Sequence, residues 1–459
     1  MSTKRIGILT AGGDTPALNA TIYGAVERAN AMGVSVFGVQ RGYAGLLDRQ
    51  VPHVHLNPLF TTIPELDPCK GGTVLGSSRS YVDPNSSQME LVKQNYKRMN
   101  LDGLICIGGD GTINGMQPLC DFTQCVLAPK TIDNDLGLNY LDEPNTWLRK
   151  AGEGSASFEK SRVLERRKID LEDIVNYATP GYATAVFVVA QCVQRIRTTA
   201  ESHRRIGIVE VMGRQSGYIA VGAAFGQPDL ILIPEVPVDL DRLEERVRQI
   251  YERQQNVVIV IGEGVKTADG NELGAASPTY DPAGNILYKG AARALEKLLL
   301  ERIEPEFFNQ VRTHEPSNTA FFTRKVGHTQ RGGRPILFDR FHASQLGGKA
   351  VELLGEGSNN TIATLQYTHQ NGFDVDSISA NKLRDHTGEI HPRCVHSSMY
   401  DTDRMQPSEF GEEYLRSIFT NAIGWDDVEY LRAEIFSPGK LSTRYQSVNT
   451  DVRKRTRLL

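Results

Sequence analysis

The sequence has no CxxC pair. Its six cysteines (Cys69, Cys106, Cys120, Cys125, Cys192, Cys394) are scattered, several of them inside apolar segments, which suits reduced, buried thiols. No apolar stretch reaches the length of a bilayer span and the N-terminus shows no signal-peptide core, so a cytoplasmic protein without a membrane partner is expected. Neither sign of charge is in excess: 51 Lys plus Arg against 55 Asp plus Glu give a formal net charge of −4. That balance supplies no general attraction to nucleic acid, so any binding of polyanions must come from local basic clusters. No tandem repeat stands out. No GxGxxG follows the first predicted strand, which disfavours a Rossmann dehydrogenase. His391 and His396 have no cysteine at ligand spacing and read as surface residues rather than a metal site.

Glycine, by contrast, is abundant, with 43 residues that cluster where apolar runs end. Arg5 to Thr10 (RIGILT) has the pattern of a buried parallel strand and runs into Ala11-Gly12-Gly13-Asp14. A helix over Leu18 to Met32 and a strand over Val34 to Val39 complete a βαβ unit, which predicts a doubly wound sheet with ligands at the carboxyl ends of its strands. Taken alone, this glycine turn is as consistent with a plain turn as with a ligand loop. Lys70 to Arg79 (KGGTVLGSSR) reads either as a surface loop or as a contact for polyphosphate.

The densest stretch runs from Leu104 to Asp135. An apolar strand delivers Gly108-Gly109-Asp110-Gly111-Thr112, a turn whose backbone N–H groups can approach a phosphate at a helix start. A second strand delivers Lys130-Thr131-Ile132-Asp133-Asn134-Asp135. A glycine loop to seat phosphates, a carboxylate for a metal and another to take a proton form a minimal kit for phosphoryl transfer.

Residues 138–176 are polar and without strong period, with a GEGSAS linker and a mixed-charge run from Arg162 to Lys168, and read as an inserted surface segment or lid. Alternation resumes with a helix from about Ala183, then strands Arg205 to Val211, Leu230 to Ile233 and Asn256 to Ile261, implying a second α/β lobe. Phe321 to Val326 feeds a basic glycine-rich turn from Gly327 to Arg334. Beyond about Asn371 strand signals are few, helices are expected near Ser408 to Thr420 and Trp425 to Glu434, and the basic tail Arg453 to Arg457 reads as a solvated or subunit-contacting end. The fold class is therefore α/β, with two lobes, each a mainly parallel sheet flanked by helices, and a mainly helical C-terminal extension.

The ordered set GILTAGGDTPALNA, RGYAGLL, KGGTVLGSSR, ICIGGDGT, PKTIDND, RIGIVEVMGRQSG, GEG and VGHTQRGGRPILFDR resembles the 6-phosphofructokinases over roughly residues 4–137 and 178–365. GGDGT alone also occurs in NAD kinases and lipid kinases; the order of the whole set is what is specific. The resemblance implies transfer of a phosphoryl group to the 1-hydroxyl of fructose 6-phosphate, with Mg²⁺ as cofactor. It implies a donor-binding lobe of residues 1–181 and 330–370, a sugar-phosphate lobe of residues 182–329 and an extension of residues 371–459. Asp133 would be the general base, Thr131 would position the acceptor, and Lys130 would help keep the carboxylate ionised. Asp135 would support the sugar and the metal, or simply cap a turn. Asp110 would be the Mg²⁺ carboxylate. Gly13, Arg79, Gly109, Gly111 and the helix start at Thr112 would line the donor site, and Arg214 would stabilise the transferring group. Met212, Gly213, Glu263, His328 and Arg331 would form the sugar-phosphate pocket. Arg205, and Arg324 in place of a position occupied here by Phe322, would complete it from a neighbouring subunit, implying a homodimer or homotetramer.

The donor reading is mixed. Pyrophosphate-using relatives usually carry an aspartate where Gly111 stands and a lysine where Lys130 stands. Gly111 leaves room for the α-phosphate of ATP, so ATP is favoured and pyrophosphate is the alternative. An NAD-kinase-like enzyme and a catalytically silent regulatory paralogue are the remaining readings. MGRQSG and GHTQRGG argue against the first, and the intact TIDND and MGR against the second.

Overall fold

A computed structural model of the chain describes residues 4–80, 82, 86–149, 158–161, 168–274, 279–280, 286–287, 290–309 and 312–459. The GEGSAS stretch and residues 162–167 of the mixed-charge run lie outside them. In chain order, the strands of the two main sheets are β1 (Arg5–Thr10), β2 (Ser35–Val39), β3 (His53–His55), β4 (Gly103–Gly108), β5 (Gln124–Pro129), β6 (Ile206–Val211), β7 (Leu230–Leu232), β8 (Val257–Gly262), β9 (Phe321–Lys325), β10 (Thr361–Thr368) and β11 (Gly372–Ser379). The first sheet has seven strands in the order β11-β10-β5-β4-β1-β2-β3, parallel except for β3 and β11 at its edges. The second has four parallel strands in the order β9-β6-β8-β7.

Helices cover both faces of the first sheet, which is why its central strands read as unbroken apolar runs. Ile6 and Ile8 of β1 pack into one core layer and Leu9 into the other. Helices α1 (Leu18–Met32) and α2 (Asp110–Cys120) follow β1 and β4, and each begins at a glycine turn on the carboxyl edge of the sheet. Helix α3 (Tyr182–His203) leads into the second sheet, and α4 (Leu337–Gly355) returns to pack along α1. Among the described residues, no helix is long and apolar enough to cross a membrane.

Three sequence expectations change. The strand β11 stands where few strand signals were expected. Its Phe373 and Val375 pack toward the core while Asp374 and Asp376 face water, the alternation of an edge strand that helix-biased reading of the C-terminal region passed over. The two ends of residues 138–176 are anchored rather than superficial: Tyr140, Ile169, Leu171 and Ile174 are buried in the main core, and Val175 N donates to Leu138 O at 3.0 Å. These residues lie in loops and single turns, so their burial leaves no periodic trace.

The side chains of Arg453, Lys454 and Arg457 in the basic tail are exposed, while its backbone is tied down. Arg457 exchanges backbone hydrogen bonds with His53 of β3 (2.8 and 3.0 Å), and Arg455 pairs with Glu65 at 2.7 Å, so the tail covers an otherwise open sheet edge. His391 and His396 are not surface residues. His391 stacks on Trp147 at 4.5 Å and bonds Asp385 at 2.8 Å, and His396 is fully buried with Nδ1 against Ser398 Oγ at 2.7 Å.

Candidate active site

The carboxyl ends of β1, β4 and β5 open onto one cavity of about 360 Å³. Parallel pairing brings the turns together: Ala11 N donates to Ile107 O at 3.0 Å, and Lys130 N to Gly108 O at 3.0 Å. The Lys70 to Arg79 loop crosses the first turn, where Gly12 N donates to Ser78 O at 3.0 Å and Ser77 Oγ to Gly12 O at 2.8 Å. Gly12 sits at φ 82°, a left-handed conformation that favours glycine. Gly13 lies close under Arg331, whose Nη1 would stand 2.9 Å from a Cβ there.

Lys130, Thr131, Asp133 and Asp135 line this cavity with Gly13, Arg79, Gly109, Asp110, Gly111, Thr112, Arg214 and Arg331. Lys130 is buried and donates to the carbonyl of Gly13; burial, with Arg331 close by, brings its pKa down to about 8. Asp133 N donates to Thr131 Oγ1 at 3.1 Å. The Asp133 side chain is 5% exposed, and its Oδ1 accepts no hydrogen bond among the described residues. A buried carboxylate oxygen left unpartnered facing a cavity is costly unless a ligand completes it. Asp135 is pushed up to about 7 by burial and by the charges of Asp133 and Asp110, with Arg214 opposing.

From the strand ends of the second sheet, Arg214 and Arg331 reach the cavity lining, whereas Met212, Gly213, Glu263 and His328 lie outside it. Residues Met212 and Gly213 follow β6 and Glu263 follows β8, two strands in register at Val211 and Gly262. Arg214, at φ 52°, donates its N–H to Glu263 Oε1 at 3.4 Å. Glu263 is buried, pushed up to about 7 by burial and by Asp133, with Lys325 at 3.8 Å opposing. His328 is exposed one 3₁₀ turn before Arg331, whose N–H donates to its carbonyl at 3.0 Å.

Arg205 and Arg324 stand apart from this cavity. Arg205 precedes β6, at the end of the strand opposite Met212. Arg324 pairs with Val209 on the face of the second sheet covered by α3, the face that Phe322 shares, and it is exposed. Several cavity residues received no role from the sequence. Tyr43 and Ser78 both sat inside quoted motifs, and Tyr43 OH donates to Thr112 O at 3.0 Å. Thr15, inside the first quoted motif, and Asn114, outside any, also line the cavity.

The family model for phosphofructokinase matches residues 5–140 and 169–354. The chain belongs to the phosphofructokinase family. Among its relatives, the pyrophosphate–fructose 6-phosphate 1-phosphotransferase of Dictyoglomus thermophilum is 33% identical over 402 residues, covering 86% of this chain and 98% of that one. The ATP-dependent 6-phosphofructokinase of Natranaerobius thermophilus is 31% identical over 362 residues, covering 78% and 88%. The crystal structure of a pyrophosphate-dependent phosphofructokinase from Nitrosospira multiformis matches with a TM-score of 0.68 over 92% of each chain at 17% identity, a likeness of fold. The family match covers β1 to α4 and stops before β10, so the last strands of the first sheet and the extension lie beyond it.

Proposed function

We propose that this protein transfers a phosphoryl group from Mg-ATP to the 1-hydroxyl of fructose 6-phosphate, giving fructose 1,6-bisphosphate, with Asp133 as the general base. The observation that carries this reading is the buried, unpartnered Oδ1 of Asp133, in a cavity whose other walls are glycine turns and the cations Lys130, Arg79, Arg214 and Arg331. Asp133 takes the hydroxyl proton as the alcohol oxygen attacks the terminal phosphorus, and the bond from that phosphorus to the donor's bridging oxygen breaks. Thr131 positions the alcohol and Asp135 supports the sugar. Lys130 and Arg214 stabilise the charge on the transferring group. Gly13, Arg79, Gly109, Gly111 and the start of α2 at Thr112 seat the donor, a helix N-terminus suiting phosphate. Met212, Gly213, Glu263, His328 and Arg331 hold the sugar phosphate.

Among the described residues no three His, Cys, Asp or Glu side chains converge into a cation cage. Mg²⁺ binds through one or two carboxylates plus substrate phosphate, and Asp110, on the cavity lining at the start of α2, would be the carboxylate that holds it. When bound, the ion neutralises donor charge.

ATP is favoured because a Cβ at Gly111 would have nothing within 4 Å, leaving room for a donor longer than pyrophosphate. Pyrophosphate remains the second reading, supported by Lys130 and by the Dictyoglomus relative. The first lobe (residues 1–181 and 330–370) is assigned to the donor, residues 182–329 to the sugar phosphate, and residues 371–459 to an extension. The placement of Arg205 and Arg324 away from their own cavity supports a homodimer or homotetramer in which they serve a neighbouring site. A cytoplasmic location goes with this reading. The test is an assay of purified protein with fructose 6-phosphate and either donor: turnover with Mg-ATP is expected, turnover with pyrophosphate alone would reverse the donor, and turnover with neither would end the proposal.

A further inference from the structure

The loop from Thr131 to Asp135 has little to hold it in place from within. Within it Asp133 N donates to Thr131 Oγ1 and Thr131 also bonds the Asp135 carboxyl, while Asn134 between the two carboxylates is left-handed at φ 56°. What fixes it comes from elsewhere, partly from within the family match, where Ser216 Oγ donates to Asp133 O at 3.4 Å, and partly from beyond it. Arg393 N donates to Asp135 O at 2.6 Å, and its guanidinium Nε donates to Asn134 O at 3.2 Å. The other two guanidinium nitrogens donate to the carbonyls of Asn176 and Tyr177, the second at 3.3 Å. Tyr414 OH accepts from Asn134 Nδ2 at 2.7 Å and donates to Tyr177 O at 2.7 Å. Thr179 N closes the ring by donating to Asn134 Oδ1 at 2.9 Å.

Arg393 is 1% exposed, and among the described residues it has no carboxylate partner; its guanidinium lies 4.7 Å from the centroid of the Tyr218 ring. Burying a guanidinium against carbonyls, with the charge of Glu143 near but no carboxylate bonded to it, is a poor way to gain stability because its desolvation is costly. It does make a planar fork that ties two separate turns together. Both turns bear on the cavity, since Thr131 N also donates to Pro180 O at 3.3 Å.

We infer that Arg393, with Tyr414, is the positioning residue of the phosphoryl-transfer site, cross-bracing the Thr131–Asp135 loop to residues 176–179 so that the Asp133 carboxylate stays aimed at the acceptor. The inference rests on the proposed function. Lysine at 393 keeps the charge but cannot reach three diverging carbonyls, and phenylalanine at 414 keeps the ring but frees Asn134 Nδ2. Misplacing a reacting group by about 1 Å costs up to ~100-fold in rate.

The test combines steady-state kinetics with hydrogen–deuterium exchange of peptides covering residues 131–136, in the full chain. For Arg393→Lys, kcat falls at least ~10-fold while KM for fructose 6-phosphate stays within about threefold, and residues 131–136 exchange faster. Tyr414→Phe moves both readouts the same way by a smaller amount. The control is Leu299→Ala, in the core of the other lobe, which lowers Tm by as much or more and keeps kcat. Unchanged kcat or unchanged exchange in folded Arg393→Lys overturns the inference, as does a loss of kcat in Leu299→Ala that tracks its Tm. Should Arg393→Lys fail to fold, Tyr414→Phe decides by the same criteria. Should the wild-type protein turn over with neither donor, the proposed function fails, and the exchange of residues 131–136 alone decides the brace.

Discussion

The ammonium of Lys130 donates to the carbonyl of Gly13, tying the loop after β5 to the turn after β1 across the floor of the cavity. These residues are 117 positions apart in sequence, and the contact places the positive charge between the glycine turn and the Asp133 carboxylate. The whole site follows this arrangement, with glycine turns on one side, carboxylates on the other and a buried cation joining them.

Replacing Asp133 by Asn removes the proposed proton acceptor and keeps the shape. Turnover is expected to fall at least ~100-fold, with dissociation constants for donor and sugar phosphate changed little. Calorimetric binding alongside steady-state kinetics checks this. A variant retaining more than a tenth of wild-type turnover would remove Asp133 from the role of base.

Gly111→Asp meets no clash, because the space beside residue 111 is open. The new carboxylate repels the α-phosphate of ATP, so kcat/KM with ATP should drop ~10-fold or more while kcat/KM with pyrophosphate falls less, a discrimination of about 1.4 kcal/mol. Equal losses with both donors would contradict the placement of the donor along Gly111.

Gly108→Ala is predicted to be damaging for a steric reason. Its Cβ would stand 1.9 Å from Thr112 Oγ1 and 2.3 Å from Thr112 Cβ, so the first turn of α2 must shift. A loss of about 1–3 kcal/mol in stability, together with weaker donor binding, is expected. Thermal unfolding and ATP titration read it out, and an unchanged Tm would mean that the turn relaxes without cost.

Outside the cavity, Glu235 accepts from Gly217 N at 2.8 Å and Val395 N at 2.7 Å through one oxygen, and burial pushes its pKa up to about 7. Because the folded pKa lies above the ordinary 4.5, the folded protein keeps a proton that the unfolded chain has already released between pH 4.5 and 7. Stability from this group is therefore full below 4.5 and is lost as pH rises through 7. Glu235→Gln should flatten that slope, gaining on the wild type by ~2 kcal/mol between pH 5 and pH 8. Urea unfolding at both values tests it; parallel curves would show that Glu235 ionises normally.

Local chemistry left a clear trace in the sequence. Strands covered on both faces must be apolar throughout, so β1, β4, β6 and β8 announce themselves, and a turn that brings backbone close to a phosphate must be glycine. The alternation of such strands with helices was enough for the α/β class, and the residues directly following each strand were enough to name the cavity's principal groups. Amphipathic edge strands and irregular loops gave weaker signals, which is why β11 and the buried ends of residues 138–176 were read otherwise.

What the chain alone determined is the set of reactive side chains and the strand ends that carry them, because both depend on neighbours a few residues away. Only the tertiary structure decided which of them share a cavity, which carboxyl oxygen stays unpartnered, and that Arg393 and Tyr414 hold the loop from behind. Burial and hydrogen-bond partnership are set by segments hundreds of residues apart, and no spacing within the sequence encodes that proximity.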